Sequence, residues 1–274
     1  MQPVTIVTGA AGGIGRAVCT HLAARGHRLV LCDVGADLDG TGRDPQVVEK
    51  FASELEAETV CDGGDVGDEA TAERCIDLAL SAFGRLDGIV HLAGFRAERS
   101  VLRQSSDEVA RNLRTHLEAP LHFLRAASQH WATAKHGGSV VLATGSTAFF
   151  GAARQSAQAA AQAGVIAAVR SAALELRRMK IRVNAVAPTA RTRQTEDLPL
   201  FKGISDDSMS PAHVAPLISF LLSEAADDIS GEVLAIAGNR VFSLQSRETT
   251  GAFAMNGPFD EGELASRWHE IVRS

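Results

Sequence analysis

A glycine-rich turn near the N-terminus has the residue types and spacing needed to hold a phosphate group. Gly9, Gly13 and Gly15 follow a short apolar run and lead directly into a helical pattern. Glycines let the backbone approach a pyrophosphate closely, and the helix N-terminus offers free N–H groups and the positive end of the helix dipole. Turns also use glycine for steric reasons alone, so the motif gains weight only from its surroundings.

An acidic residue supplies that context. Asp33 ends the second apolar run, 18 residues beyond Gly15. A carboxylate at this place accepts hydrogen bonds from the ribose hydroxyls of adenosine and repels a 2′-phosphate. We therefore expect NAD, rather than NADP, as the cofactor. The alternative that stays open is a purely structural glycine turn in a fold that no longer binds a nucleotide.

The composition removes one catalytic group from consideration. The 274 residues include 11 Phe and 2 Trp but no Tyr, so no phenol of this chain can move a proton. Metal chemistry is not predicted, because His116, His122, His130 and His136 lack the three- or four-residue spacing that faces one metal from a helix. No Gly-x-Ser-x-Gly motif surrounds Ser146, which argues against a hydrolase.

Charge and hydropathy exclude further classes of function. The formal net charge of -6 is opposite to the basic surface that nucleic-acid binding requires. No membrane span is predicted, since the best apolar segment, residues 164–176, contains Arg170 and Glu175. No secretory signal is visible at the N-terminus, and we expect a cytoplasmic protein. The cysteines are scattered and predicted to be reduced: Cys19, Cys32, Cys61 and Cys75.

Short apolar runs alternate with longer helical patterns along the whole chain. The runs are rich in Val, Ile and Leu, as in strands covered on both faces. They lie at residues 4–7, 28–32, 58–61, 88–92, 139–143, 181–186 and 232–236. The helical patterns lie at residues 13–25, 45–57, 68–83, 105–134, 156–179 and 211–223. This alternation predicts an α/β fold, a Rossmann-type doubly wound parallel sheet with helices on both faces.

One domain is predicted for residues 1–274. Within it, residues 242–274 form a C-terminal extension that ends in an amphipathic stretch, and residues 35–45 form a loop rich in Gly and Asp. Both segments exceed what a minimal sheet requires. They are either surface segments without a binding role or segments that contact a substrate or another subunit.

Taken together, four motifs resemble the short-chain dehydrogenase/reductase family. They are Thr8-Gly9-x-x-x-Gly13-x-Gly15, Asp65-Val66, His91-Leu92-Ala93-Gly94 and the run 181–188 ending in Pro188. The resemblance covers residue 4 to about residue 240. It implies that NAD is held by one set of residues: Thr8, Gly9, Gly13, Ile14, Gly15, Asp33, Asp65, Val66, Ala93, Gly94 and Pro188.

A narrower similarity points to one branch of that family. The loop 33–40, the segment 115–117, the run 187–190 and the tail 246–251 resemble the (3R)-hydroxyacyl-CoA dehydrogenase unit of the type-2 multifunctional β-oxidation enzyme. This resemblance implies acyl-CoA thioester substrates, NAD and a dimeric core.

The catalytic positions implied by the resemblance are degenerate. Gln158 and Gln162 stand where the family has Tyr and Lys, and Gly145 stands at the Ser position. His116 occupies the Asn position, as is common in the branch. Glutamine has no proton to exchange near neutral pH, and acid–base groups that act as a unit lose their effect together. We therefore predict no catalytic residue, with Ser146 as a substitute only if a new chemistry exists.

Three hypotheses follow for function. In the first, the chain is a non-catalytic subunit that pairs with a homologous active short-chain dehydrogenase, in a hetero-dimer or hetero-tetramer; a homo-oligomer is the other assembly considered. In the second, it is an enzyme of altered chemistry, redox or non-redox, that uses His116, Ser146 or His91 on an acyl-CoA-like or hydroxy/keto substrate. In the third, it is a binding module that responds to NAD.

Overall fold

Parallel strands and covering helices alternate along the chain. The computed structural model describes residues 2–255 and 257–273, with only the backbone of Asp206. The strands are β1 Val4–Thr8, β2 Arg28–Cys32, β3 Thr59–Asp62, β4 Gly88–His91, β5 Gly138–Ala143, β6 Ile181–Thr189, β7 Val233–Ala237 and β8 Arg240–Ser243. The helices are α1 Gly13–Ala24, α2 Gln46–Ser53, α3 Glu69–Phe83, α4 Ser106–Leu113, α5 Ala119–Ala134, α6 Thr147–Phe150, α7 Ser156–Leu176, α8 Val214–Leu222 and α9 Glu261–Val272.

The strands form one sheet that confirms the predicted fold class. Within the described residues it has eight strands in the order β3-β2-β1-β4-β5-β6-β7-β8. All pairs are parallel except β7 with β8, which is antiparallel. The chain order reverses between β1 and β4, and doubly wound sheets bind ligands in the crevice beside such a switch point.

The core lies on both faces of the sheet, as the apolar strands predicted. Every residue of β1 is buried. On one face α1 packs against α8, and on the other α3 and α7 pack against α5. Trp131 of α5 is fully buried, and its indole N–H donates to the carbonyl oxygen of Leu86 at 2.8 Å.

The long helix expected over residues 105–134 is interrupted. Between α4 and α5 the backbone forms a π-helical turn, Arg114–Glu118. A π-turn accommodates an extra residue per turn and so changes the direction of the side chains that it contains. This turn includes His116 and places it against the segment that follows β4, where its imidazole bonds to the carbonyl oxygen of Phe95.

The end of the chain forms a second compact unit. Internal contacts divide the chain into Met1–Ser243 and Leu244–Ser274, so the first two residues of the predicted extension belong to β8. The predicted amphipathic stretch forms α9, capped by Asp260, whose side chain accepts from the N–H of Glu263 at 2.7 Å. Arg267 bonds to the carbonyl oxygen of Phe253 and to the carboxylate of Glu270, which ties this unit together.

In the described part of the chain, one helical segment is long and apolar enough to cross a membrane by length and composition alone. It is Ser156–Met179, with a mean hydropathy of 1.2. This segment packs against β6, and about a third of its apolar window (33%) is buried in the fold. The fold therefore accounts for the apolar side chains on the sheet-facing side of this segment.

Candidate functional site

A cleft of about 860 Å³ lies beside the switch point, at the carboxyl ends of β1, β2 and β4. Nine of the residues predicted to hold the cofactor line it: Gly9, Gly13, Ile14, Gly15, Asp33, Asp65, Val66, Ala93 and Gly94. These residues are up to 85 positions apart in the chain. The sheet brings them together because the carboxyl ends of parallel strands meet at one edge.

The glycine turn needs glycine for close packing and for its conformation. Gly9 has a φ of +66°, and a Cβ built on it would lie 2.7 Å from the backbone nitrogen of Ala93. A Cβ on Gly15 would overlap the carbonyl oxygen of Gly9. Helix α1 begins at Gly13 with no side chain capping its N-terminus. Its first N–H groups are thus left for a ligand, as a pyrophosphate requires.

The carboxylate of Asp33 is fixed beside this turn. One of its oxygens accepts from the N–H of Ala11 and the other from the N–H of Gly35, both at 2.9 Å. This orientation leaves the second lone pairs of the carboxylate for ribose hydroxyls. The donor set of the cleft therefore fits an adenosine dinucleotide without a 2′-phosphate.

Two other residues predicted to hold the cofactor, Thr8 and Pro188, do not line the cleft. Thr8 is fully buried beneath the cleft, and its hydroxyl oxygen accepts from the N–H groups of Leu92 and Ala93 at 3.2 Å. It joins the ends of β1 and β4 and so supports the cleft from below. Pro188 lines a second cavity next to the cleft.

This second cavity, of about 310 Å³, contains most of the positions at which the resemblance predicts a lost catalytic residue. His116, Ser146, Gln158 and Gln162 line it together with Pro188. It shares Ile14, Ala93 and Gly94 with the cleft, so the two cavities adjoin each other. Apolar side chains from the segment after β6 form another part of its wall: Leu198, Leu200 and Phe201.

Gln158, at the position of the family's tyrosine, is tied to the protein. Its amide nitrogen donates to the carbonyl oxygen of Phe95 at 3.2 Å. The Nε2 atom of His116 lies 3.0 Å from the same oxygen and donates to it. The Oε1 atom of Gln158 is buried, and no partner for it exists among the described residues.

Gln162, at the position of the lysine, turns away from Gln158. Its Oε1 atom accepts from the hydroxyl of Thr147 at 2.7 Å. A Cβ built on Gly145 would lie 2.6 Å from this Oε1 atom. The amide of Gln162 therefore fills the space that a serine at position 145 would need.

The two histidines at this site are neutral near pH 7. Burial lowers the pKa of His116 to about 4, against a smaller opposite effect of its bond to Phe95. Burial, with a further contribution from His116, lowers the pKa of His91 to about 3. The Nδ1 atom of His91 is also held by the hydroxyl of Thr8, at 3.0 Å. Neither imidazole is tuned to exchange a proton near neutral pH.

A possible metal-ligating group occurs outside both cavities, where none was predicted. Ligand atoms of Cys32, Asp62 and Cys75 lie within 4.8 Å of one another. The guanidinium of Arg74 already bonds to both oxygens of Asp62, at 3.0 and 3.2 Å. The hydrogen bond with Cys75, and burial after it, raise the pKa of the Cys32 thiol, which disfavours the thiolate that a metal needs. The four cysteines are free.

Sequence reasoning missed the residues that hold these side chains in place. Phe95 follows the 91–94 motif directly, and Thr147 lies two positions beyond Gly145, so an extension of each motif would have included them. Gln194 donates to the carbonyl oxygen of Gly94 at 2.9 Å, while Arg96 bonds to the carboxylate of Asp197. These contacts hold the segment after β6 over the cavity. No local sequence pattern predicts such contacts, because their partners lie about 100 positions apart.

Comparison with known proteins agrees with this geometry. The family model described as enoyl-(acyl carrier protein) reductase matches residues 9–238. Hydroxyacyl-CoA dehydrogenase ChsB1 of Mycobacterium tuberculosis is 32% identical over 96% of this chain and 86% of its own length. Peroxisomal multifunctional enzyme type 2 of Mus musculus is 28% identical over 98% of this chain, which spans only 36% of that protein. Subunit BbsD of the (2S)-[(R)-hydroxy(phenyl)methyl]succinyl-CoA dehydrogenase of Thauera aromatica is 27% identical, over 86% of this chain and 96% of its own.

Solved structures share the whole architecture. A short chain dehydrogenase from Mycobacterium avium superposes with a TM-score of 0.84 and 31% identity, covering 98% of this chain and 94% of its own. Carveol dehydrogenase from the same organism, solved in complex with NAD, has a TM-score of 0.75 and 25% identity, covering 85% and 95% of the two chains. The family match over residues 9–238 and these likenesses confirm the resemblance seen in the motifs. The chain belongs to the short-chain dehydrogenase/reductase family.

Proposed function

We propose that this chain is a non-catalytic, NAD-binding subunit that pairs with a catalytically intact short-chain dehydrogenase of the hydroxyacyl-CoA type. One observation carries the proposal. The tyrosine and lysine positions hold amides, and each amide is hydrogen-bonded to this chain, Gln158 to Phe95 and Gln162 to Thr147.

Hydride transfer to or from a carbon needs a proton partner for the oxygen on that carbon. An amide cannot supply or accept that proton near pH 7. The His116 imidazole does not replace it, because its Nε2 atom is committed to Phe95 and its pKa is lowered to about 4. Acid–base catalysis contributes a factor of about 10²–10⁴ in rate, and this chain lacks a group tuned for it at the cavity.

The nucleotide cleft supports a retained cofactor. The N-terminus of α1 would take the pyrophosphate of NAD, and Asp33 would take the adenosine ribose. When bound, NAD supplies a nicotinamide that can exchange a hydride. Two observations support NAD in this chain: the glycine turn stays too closely packed for any side chain at Gly15, and a family structure holds NAD on the same fold.

Acyl-CoA thioesters are the substrate class that the relatives support. ChsB1 is a hydroxyacyl-CoA dehydrogenase by name, and BbsD belongs to a dehydrogenase of a CoA thioester. The segment after β6 carries Arg191 and Arg193, of which Arg193 lines the cleft and donates to the carbonyl oxygen of Ala36 at 2.9 Å. The segment that carries them is therefore closed over the cofactor side of the site.

One face of α7 supports pairing with another subunit. Ala160, Ala163 and Ala167 are exposed at three- and four-residue spacing, and Leu174 in the same direction is 80% exposed. Small side chains allow a second helix to approach closely, and an exposed leucine gains free energy when it is covered. The description of BbsD as a subunit is consistent with such assemblies in the family.

Altered chemistry in this chain alone is the alternative. Ser146 lines the cavity and could act only with a base beside it. Two imidazoles line the same cavity, and each has one nitrogen hydrogen-bonded to the protein, His116 to Phe95 and His91 to Thr8. The geometry therefore favours the non-catalytic subunit.

The test compares the chain alone with the chain in a complex. The purified chain is assayed with NAD and (3R)-3-hydroxybutyryl-CoA, and then co-expressed with a homologous dehydrogenase that has Tyr-x-x-x-Lys. We expect no turnover by the chain alone and a stable complex whose activity disappears when the partner's tyrosine is changed to phenylalanine. Turnover by the chain alone at an ordinary enzymatic rate would refute the proposal.

A further inference from the structure

Two surface segments lie side by side beyond the second cavity, and together they are called the rim. One consists of residues 96–105, after β4, and the other of residues 150–156, after β5. The backbone N–H of Arg99 donates to the carbonyl oxygen of Arg154 at 2.7 Å, which joins the two segments. The rim is therefore one continuous surface.

The rim begins close to the cavity. Phe95, which lines the cavity, immediately precedes the first segment of the rim. Gln158, which also lines the cavity, stands four positions after Arg154. Four residues of chain span at most about 14 Å. A long ligand with one end in the cavity can therefore reach the rim with its other end.

The rim is positively charged, although the whole chain has a formal net charge of -6. The two segments contain four arginines and one glutamate, which gives them a formal charge of +3. Arg96 bonds to the carboxylates of Glu98 and Asp197. Arg99 bonds to the carboxylate of Glu108. These two arginines are neutralised within the chain, so the charge available to a ligand comes from the other two.

The other two arginines of the rim are Arg103 and Arg154. Both are exposed, and within the described residues neither guanidinium has a hydrogen bond or an ion pair with another side chain. A guanidinium presents several N–H groups in one plane, which matches the oxygens of a phosphate. The rim therefore offers two cations to an anionic group of a ligand.

The backbone of Arg154 is strained. Its φ is +68°, a conformation that residues other than glycine, asparagine and aspartate rarely adopt. Among the described residues, Lys135 and Lys180 share a positive φ, but each follows the end of a helix, where this conformation is common. Arg154 instead precedes α7. Strain of this kind persists at functional sites, which favours a role for the arginine side chain at this position.

The rim also exposes apolar side chains beside these cations. Val101 is 68% exposed, Leu102 is 91% exposed, and Phe150 at the end of α6 is 77% exposed. Aromatic rings stack on nucleobases, and cations bind the phosphates that accompany them. Coenzyme A carries such a nucleotide, an adenosine with a 3′-phosphate and a pyrophosphate, at the end of a long flexible arm from the thioester.

We infer that the rim binds the 3′-phosphoadenosine diphosphate end of coenzyme A while the acyl end lies in the cavity. Arg103 and Arg154 contact the phosphates, and Phe150 contacts the adenine ring. The inference rests on the proposed function for the acyl-CoA class. It adds the site that recognises the nucleotide part of that substrate, on residues outside both cavities.

A matched pair of ligands isolates the 3′-phosphate. Binding of coenzyme A and of 3′-dephospho-coenzyme A to the purified full chain is measured by titration calorimetry in saturating NAD. The NAD occupies the nucleotide cleft, so the adenosine of coenzyme A does not bind there instead. We expect coenzyme A to bind about 5-fold more tightly than the dephospho form, because only coenzyme A offers the 3′-phosphate to the guanidiniums. Added salt should reduce this difference.

Single variants locate the site. Arg103→Gln and Arg154→Ala should each weaken the binding of coenzyme A about 5-fold and reduce the difference between the two ligands. Arg178→Gln, an exposed change just after α7 and outside the rim, is the matched control. It removes the same charge and should leave both dissociation constants as in the unmodified chain.

Arg154→Gly separates the backbone strain from the charge. It should weaken the binding of coenzyme A as Arg154→Ala does, yet raise the melting temperature by about 2–4 °C, since glycine adopts a positive φ without strain. A merely structural role for Arg154 predicts no loss of affinity in this variant. Because the variant is expected to be more stable, a loss of affinity in it does not come from misfolding.

The possible outcomes separate this inference from the proposed function. Equal binding of the two ligands, or unchanged affinity in the Arg103 and Arg154 variants, would overturn the inference and leave the acyl-CoA class in place. Absence of any binding of coenzyme A would overturn both the inference and that substrate class. The proposal of a non-catalytic subunit is decided separately, by turnover and by complex formation.

Discussion

Gly145, Thr147 and Gln162 pack together at the positions that the resemblance aligns with the family's serine and lysine. The Gln162 amide occupies the space beside Gly145, and Thr147 holds it there by a 2.7 Å hydrogen bond. A serine at 145 and the present position of Gln162 exclude each other. The residues at positions 145 and 162 are therefore physically coupled rather than independent.

This coupling gives a prediction about stability. Gly145→Ser should lower the free energy of unfolding by about 0.5–1.5 kcal/mol, because its Cβ displaces the flexible end of Gln162 and breaks the hydrogen bond with Thr147. Gln162→Ala should remove most of that penalty. Urea unfolding of the two single variants and the double variant forms a cycle, and we expect a coupling free energy of about 1 kcal/mol. Strict additivity of the two changes would show that the amide does not fill this space.

The buried histidines give a prediction about pH. The pKa of His91 is lowered to about 3, so between pH 6.5 and that value the unfolded chain binds more protons than the folded chain. The free energy of unfolding must then fall as the pH falls through this range, with a slope of up to about 1.4 kcal/mol per pH unit from this group. His91→Asn should flatten the dependence in chemical denaturation between pH 6.5 and 4.5. His269→Asn, an exposed change on α9, is the control and should leave the slope as it is.

At the scale of elements, two irregularities place the site residues. The π-helical turn Arg114–Glu118 brings His116 to the carbonyl of Phe95, and the short helix α6 brings Thr147 to Gln162. The regular helix α7 carries Gln158 and Gln162 toward the cavity and its alanine face away from the sheet. One helix thus serves both the cavity and the surface proposed for pairing.

The alanine face can be tested without altering the cavity. Ala167→Trp should block close approach of a second helix and lower the fraction of complex seen in size-exclusion chromatography with light scattering. NAD binding should be retained, because Ala167 does not line either cavity. Ala82→Trp, at an exposed alanine of α3, is the matched control and should leave assembly unchanged. Normal assembly of the Ala167→Trp variant would show that this face is not the interface.

At the scale of the whole molecule, the sheet order decides where a ligand can bind. The reversal between β1 and β4 opens the cleft, and the segment after β6 closes over the adjoining cavity through Gln194 and Arg96. The contacts of these two residues cross about 100 positions of the chain. The site is therefore a property of the assembled sheet, and a ligand in it stabilises the folded state as a whole.

NAD should accordingly raise the stability of the chain. At a free concentration 100 times its dissociation constant, the gain is about 2.7 kcal/mol, visible as a higher melting temperature. NADP at the same concentration should give a smaller increase, since the Asp33 carboxylate repels its 2′-phosphate. Asp33→Asn should reduce that difference. If neither nucleotide shifts the melting temperature, the cofactor proposal fails while the fold is unaffected.

Most of the architecture could be predicted from the chain because strands buried on both faces are nearly continuous apolar runs. The edge strand β8 was missed, since its residues are largely exposed and contain no such run. The π-turn was missed because one extra residue in a turn hardly changes the periodicity of a 30-residue helical pattern. Local sequence patterns reveal buried strands and regular helices. Strand β8 is not buried and the π-turn is not regular, so neither feature leaves such a pattern.

The sequence by itself determined that no phenol exists in this chain and that positions 158 and 162 carry amides, because residue type decides whether a side chain has a titratable group at all. Only the tertiary structure decided what those amides do. Gln158 bonds to a carbonyl 63 positions away and Gln162 to a hydroxyl 15 positions away. Hydrogen bonds depend on distance in space, so these two contacts became visible only when the sheet had brought their partners together.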